Sequence, residues 1–197
     1  VENKEVDSMK KKTLWIIVAV VAVVIALPII WGVGSYNNLV GLEENVENKQ
    51  AAIQTQLQRR SDLIPNLVNT VKGYAQHEEE VYTAIADARA KLAGAQTLSE
   101  QDAANGELSS ALSRLMVIVE NYPQLKANEN FINLQDELAG TENRLQKARQ
   151  DYNDTAKEYN AKIRKFPTSI IAGMGGFDKV DYFESAAGSE DAPDVNF

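Results

Sequence analysis

The chain has no cysteine. Disulfides, thiolate metal sites, cysteine nucleophiles and cysteine-linked lipid anchors are therefore excluded. It has one histidine, His77. "HEEEV" at 77–81 begins like a zinc-protease helix, but position 81 is Val where that motif needs its second His. A four-helix di-iron site needs Glu-x-x-His twice, and position 74, three before His77, is Tyr. Serines and threonines have no His besides His77 to complete a triad, and G-x-S-x-G is missing. "GMGG" at 173–176 lacks the rest of a phosphate loop. No stretch alternates with period two, so no sheet is expected. These absences lead to an expectation of no catalytic residues, no metal, no cofactor and no enzyme activity.

Basic charge is also scarce beyond the N-terminus. Net charge is −8. Lys4, Lys10, Lys11 and Lys12 stand near the start against Glu2, Glu5 and Asp7, which leaves 16 basic and 25 acidic residues in 35–197. Such a domain repels nucleic acid and anionic lipid headgroups, so neither is expected as a ligand.

The apolar residues are unevenly placed. Leu14 to Val33 is 20 residues without a charge, roughly 30 Å as a helix, or one hydrocarbon thickness. Trp15, Trp31 and Tyr36 stand where interfacial anchors would. The run is longer than a signal-peptide core and lacks a convincing cleavage site, so an uncleaved anchor over 13–34, in contact with membrane lipid, is preferred to a cleaved signal. Lys10–Lys12 precede it and Glu43, Glu44 and Glu47 follow. The positive-inside rule then predicts a single-pass protein of the bacterial cytoplasmic membrane, with residues 1–12 cytoplasmic and the remainder outside. Met9 is an alternative start, in which case residues 1–8 are not native.

Beyond the anchor the spacing is helical. Residues 36–93 read as one long stretch, with Leu39, Leu42, Val46, Ile53, Leu57, Ile64, Leu67, Val71 and Tyr74 recurring at three and four, continued by Val81, Ile85, Ala88 and Leu92. Gly94–Thr97 reads as a break. Ser99, with Asp102 three residues on, is the predicted cap of a second helix that runs to Tyr122, where Pro123 ends it. The third helix, 128–165, carries Phe131, Leu134, Leu138, Leu145, Tyr152 and Tyr159 in a heptad pattern and is capped by Asn128. At roughly 57 Å it suits an elongated antiparallel bundle. "NDT" at 153–155 matches a glycosylation acceptor, but its place inside the heptads favours coincidence. The expected organisation is all-α: bundle over 35–167, then an irregular tail over 168–197, partly docked through its aromatics, with 185–194 mobile.

Two residues disturb the first bundle helix. Arg60 falls on the apolar stripe, and Pro65 lies inside it. A guanidinium in a seam needs a carboxylate, and Glu120 and Glu142 are the candidates, with Arg149 one heptad beyond Glu142 able to join. Arg59 and Asp62 are spaced to pair with each other. Pro65 is expected to bend the helix. The alternative is that Arg59, Arg60 and Asp62 form a docking surface.

"NNLVGLEENVENKQAAIQTQLQRRSDLIPNLVNTVKGYAQHE" (37–78) and "RLMVIVENYPQLKANENFINLQDELAGTENRLQKARQDYNDTAKEYNAKIRKFP" (114–167) resemble the two long blocks of the LemA family. "GGFDKVDYFE" and the terminal "APDVNF" are similar to its tail. The resemblance implies an N-terminally anchored bacterial protein with a helical bundle outside the membrane. It implies structural and motif roles for Arg59, Arg60, Asp62, Pro65, Glu120, Tyr122, Pro123, Glu142, Arg149, Tyr152 and Asn153. Members of this family resemble membrane-tethered adaptors; one branch serves in bacterial organelle membranes, and others are encoded near membrane proteases. The expected function is a scaffold working through helix-mediated protein contacts, with a second copy of itself or a membrane protease as partner. Alternatives are a regulatory or substrate-delivering subunit of a membrane protease or transporter, and a sensor holding lipid or peptide between helices.

Overall fold

The computed structural model describes residues 2–183, with side chains from Leu14 onward. Phe197 and the 185–194 segment expected to be mobile lie outside the described residues. Six helices follow in order: α1 (Glu2–Lys72), α2 (Glu79–Gly94), α3 (Leu98–Val119), α4 (Pro123–Lys126), α5 (Glu129–Arg164) and α6 (Thr168–Gly175). No strand occurs among the described residues.

The apolar run and the first amphipathic stretch are one helix, α1, uninterrupted at Pro28, Gly32, Gly34 and Pro65. It ends at Lys72, where Tyr74 and Ala75 both donate to the Val71 carbonyl at 2.9 Å. The reading of 36–93 as one stretch is corrected here, because the chain reverses over residues 73–78. Gly73 opens the turn, and Tyr82 Oη closes it by donating to the Ala75 carbonyl at 2.5 Å. The apolar repeat carries across the reversal because Ile85, Ala88 and Leu92 of α2, with Tyr82 in place of the expected Val81, enter the same core as Ile64, Leu67 and Val71. Periodicity reports a buried face, not whether the helix under it is continuous.

The α3 start lies two residues ahead of the expected cap. Thr97 Oγ1 accepts from the Glu100 amide at 3.2 Å, and Glu100 Oε2 accepts from the Thr97 amide at 3.0 Å. This reciprocal capping box satisfies two end donors, which Ser99 with Asp102 would not. Tyr122, kept out of the helical region before Pro123, stands at the N-cap position of α4, with Pro123 opening the helix. Asn128 Oδ1 accepts from the Phe131 amide at 3.1 Å and so caps α5 as its sequence position predicts. After Pro167 the chain adds α6, a helix that the sequence reading leaves out, and then runs irregularly from Gly176.

Contacts divide the chain into two compact units. One takes α1 as far as Glu44 together with Glu158–Lys179; the other holds Asn45–Lys157 and resumes at Val180. The larger unit is an antiparallel bundle. Along α1 and α5 the partners run in opposite order: Gln56 meets Arg144, Arg59 meets Glu137, and Tyr74 meets Asn128. Lys72 Nζ sits 4.8 Å over the Tyr82 ring, while Arg89 Nε donates to Ser61 Oγ at 3.0 Å, so α2 runs antiparallel to α1. Lys91 and Glu107 pair at 2.6 Å across the α2–α3 hairpin. Ile53, Leu108, Leu115, Phe131, Leu145 and Tyr152 are almost wholly buried between these helices.

In the smaller unit, Leu39, Tyr159, Ile163, Ala172 and Phe177 form the core. Phe177 meets Tyr36 edge-on with centroids 5.3 Å apart. Gly176, at φ 75°, ends α6 in the left-handed conformation that glycine adopts without strain. That turn lets the Phe177 amide donate back to the Ala172 carbonyl at 3.0 Å.

Candidate functional site

The larger unit gathers its polar side chains at two places. The first centres on Arg60. Its position in the three-four repeat of α1 turns it inward, and it is only 6% exposed. Its Nη1 donates to Asn105 Oδ1 of α3 at 2.9 Å and to Glu142 Oε2 of α5. Its Nη2 donates to Ser109 Oγ at 3.0 Å. Ser109 Oγ donates to the Asn105 carbonyl at 2.9 Å, which leaves its lone pairs toward the guanidinium. One arginine thus joins three helices. Burial lowers the Arg60 pKa from its ordinary value, the nearby Glu142 carboxylate raises it, and the Arg149 cation lowers it again. Arginine stays charged through such shifts, so the node holds a permanent, almost wholly buried cation. Beside it, Leu112, Met116, Leu138 and Ala139 floor an open groove between α3 and α5.

Of the two predicted partners, Glu142 receives Arg60. Glu120 instead sits exposed at the C-cap of α3. Arg149 does not bond into the node; its Nη2 lies 2.7 Å from Asp102 Oδ1 of α3. Arg59 and Asp62 do not pair with each other. Arg59 reaches Glu137 of α5 at 2.8 Å, and Asp62 accepts from Gln58 Nε2 at 2.8 Å. Since Arg60 points into the core, the three cannot form one docking surface; Arg59 and Asp62 remain on an open polar face of α1 with Gln58 and Asn66. Pro65 lies one residue after buried Ile64, and α1 continues through it.

The second place is a clamp on the tail. Asn153 Nδ2 donates to the Phe183 carbonyl and its Oδ1 accepts from the Phe183 amide, both at 2.9 Å. Tyr152 Oη donates to the Asp181 carbonyl at 2.9 Å. The Phe183 ring meets Tyr152 edge-on at 5.3 Å and lies 5.5 Å from the Arg149 guanidinium carbon. Burial and the neighbouring Asp181 push the Tyr152 phenol up. The clamp occupies Asn153, while Thr155 Oγ1 donates to the Asp151 carbonyl within α5, so neither side chain of "NDT" presents itself to a glycosyltransferase.

Trp15 and Trp31 are exposed at the two ends of the apolar run, and Tyr36 is half-covered by Phe177. The residues from Leu14 to Ile30 bury nothing against the protein. This single exposed apolar helix is a candidate membrane anchor.

Sequence reasoning missed Asn105, Ser109, Glu137, Asp102, Asp181 and Phe183 as partners. One signal was available: extended backward, the Leu108–Leu112–Leu115 stripe of α3 passes through Gln101 and Asn105, polar residues at core positions. No group of three metal-ligating side chains gathers among the described residues.

The LemA family profile matches residues 49–197. A magnetosome protein, MamQ, of Magnetospirillum gryphiswaldense is 28% identical over 78% of this chain and 66% of its own length. Magnetosome protein MamQ 2 of Paramagnetospirillum magneticum is 27% identical over 76% of this chain and 64% of its own. Protein LemA of Metamycoplasma hominis is 26% identical over 78% of this chain and 71% of its own. The chain thus spans a little under two thirds of the length of the magnetosome relatives. With most of the bundle and the tail inside the matched region, the chain belongs to the LemA family.

Proposed function

We propose that this protein is a membrane-tethered, non-enzymatic scaffold whose bundle engages other protein chains. The observation that carries the reading is the open seam between α1 and α5, lined by Asn66, Asn69, Thr70, Asn130, Asn133 and Glu137. Carboxamides donate and accept in any rotamer, so such a seam matches the mixed polar face of a partner helix. Its one carboxylate, Glu137, is paired with Arg59, and its one hydroxyl, on Thr70, donates to the Asn66 carbonyl. The cations nearest the core, Arg60 and Arg149, are already engaged by Glu142 and Asp102. Relatives named as magnetosome proteins fit an organising role at a membrane.

The test is a photo-crosslinker at Asn69 or Asn133 in membranes, together with the native mass in mild detergent. A protein adduct at both positions and a mass above one copy are expected. A second copy in the adduct means self-assembly, and a fixed foreign chain means an adaptor or protease-subunit role. A monomer with no adduct removes the scaffold reading.

A further inference from the structure

The smaller unit carries a second apolar surface besides the exposed run of α1. Phe166, Ile170 and Met174 are spaced by four and are 82%, 53% and 82% exposed. Ile170 and Met174 form a stripe on one face of α6, and Phe166 is exposed in the turn before it. The opposite face of α6 is spent on the protein: Thr168 and Ala172 are buried, and Ile171 faces α1. A methyl group placed on Gly32 would lie 3.6 Å from Ile171 Cδ1. Gly32 belongs to the last turn of the uncharged run, where a span of that length leaves the hydrocarbon. Phe177 on Tyr36 fixes the same juxtaposition one turn further along. The residues just before the stripe are Lys162, Arg164 and Lys165, all exposed, in a chain that is otherwise acidic.

The geometry points to α6 as a second membrane contact: Phe166, Ile170 and Met174 enter the leaflet beside the exit of α1, and Lys162, Arg164 and Lys165 meet anionic headgroups. This inference rests on α1 being the anchor. Continuity decides the occupant, since the stripe adjoins the stretch of α1 that leaves the bilayer and shares one compact unit with it. Apolar side chains flanked by basic ones are the composition of an interfacial helix. A basic last turn is also what any helix C-terminus favours, but that does not account for three large apolar side chains left in the open in the turn and helix that follow.

The absence of cysteine makes the test direct. Full-length protein carrying Ile170→Cys or Met174→Cys is nitroxide-labelled and reconstituted in phosphatidylethanolamine–phosphatidylglycerol vesicles. Collision with oxygen is compared with collision with a water-soluble nickel chelate. Val20→Cys in the apolar run and Ser113→Cys on the exposed face of α3 give the two references. Labels at 170 and 174 are expected to favour oxygen severalfold over Ser113 and to fall between the references. Values equal to Ser113, with Val20 deep, overturn the inference and leave the anchor standing. Spin–spin broadening at 170 that unlabelled protein dilutes away means a second copy covers the stripe, and also overturns it. An aqueous Val20 label removes the anchor reading and the inference together.

Discussion

Asn153 holds the backbone of Phe183 as a neighbouring strand would, accepting from its amide and donating to its carbonyl at 2.9 Å each. A carboxamide is the side chain that copies a peptide group, and in this clamp it lets a helix bind an extended segment without any sheet. Asn153→Leu leaves both backbone groups of Phe183 without these partners. A loss of about 1–3 kcal/mol is expected, with faster amide exchange at Phe183 and little change in α3. Unchanged protection at Phe183 would sink the clamp.

The Arg60 node predicts unequal consequences for two glutamates. Glu142→Gln keeps the shape but removes the counter-charge, and its side chain is 37% exposed. Water therefore softens the loss, to about 1–3 kcal/mol rather than the ~3–5 of a fully buried pair. Glu120→Gln is expected to change stability by less than about 0.5 kcal/mol. Urea unfolding of both variants, with the Arg60→Met/Glu142→Gln double-mutant cycle, measures the coupling directly. Additivity within a few tenths of a kcal/mol would mean that Arg60 does not depend on Glu142.

Alkaline stability should report Tyr159. Burial, then Glu43 and Asp178, push its phenol up to about 12. An unfolded tyrosine loses its proton near pH ~10. The native state therefore keeps a proton that the unfolded state has given up. The stabilisation is whole below the unfolded value and is lost as pH rises through the folded one. Tyr159→Phe is expected to flatten the decline in melting temperature above pH ~10. The slope that remains includes Tyr82 and Tyr152, both also raised by burial, and Lys147, raised by its hydrogen bond to Asp151. An identical slope in Tyr159→Phe and the parent would remove this account.

Gly175 and Gly173 lie two residues apart in α6 and should respond in opposite directions. A Cβ on Gly175 would stand 2.6 Å from Phe177 Cε2 and 3.1 Å from Tyr36 Cε2, whereas Gly173 faces open space. Gly175→Ala is expected to cost about 1–3 kcal/mol by displacing the ring pair. Gly173→Ala should gain up to about 1 kcal/mol from helix propensity. Thermal melts of the two variants decide; equal shifts would mean that Phe177 has room to move.

Much of this could be read before any coordinates. The long apolar helix that is the candidate anchor, the buried faces of α3 and α5, Asn128 as a cap and the inward turn of Arg60 all follow from spacing. The reversal at residues 73–78 was hidden because both sides of it feed one core, so the repeat passes through. Thr97 with Glu100 spelled a capping box, but Ser99 lay close enough to compete for the role. Helix α6 went unseen because eight residues ending in Gly-Met-Gly are too few for a period to show. The partners of Arg59, Arg149 and Asn153 depend on which helices become neighbours, and a single strand of letters does not contain that.

The Arg60 node also sets what happens when α5 slips along its neighbours. A heptad repeat tolerates a shift of seven residues in its apolar positions. Such a shift in one direction replaces Glu142 with Arg149, setting two guanidiniums against each other beside Asn105; in the other it brings Gln135, which leaves the cation without an anion. The leucine ladder alone would accept either arrangement. The arginine makes one alignment attractive, one repulsive and one uncompensated, and so works as a parity check on the assembling bundle.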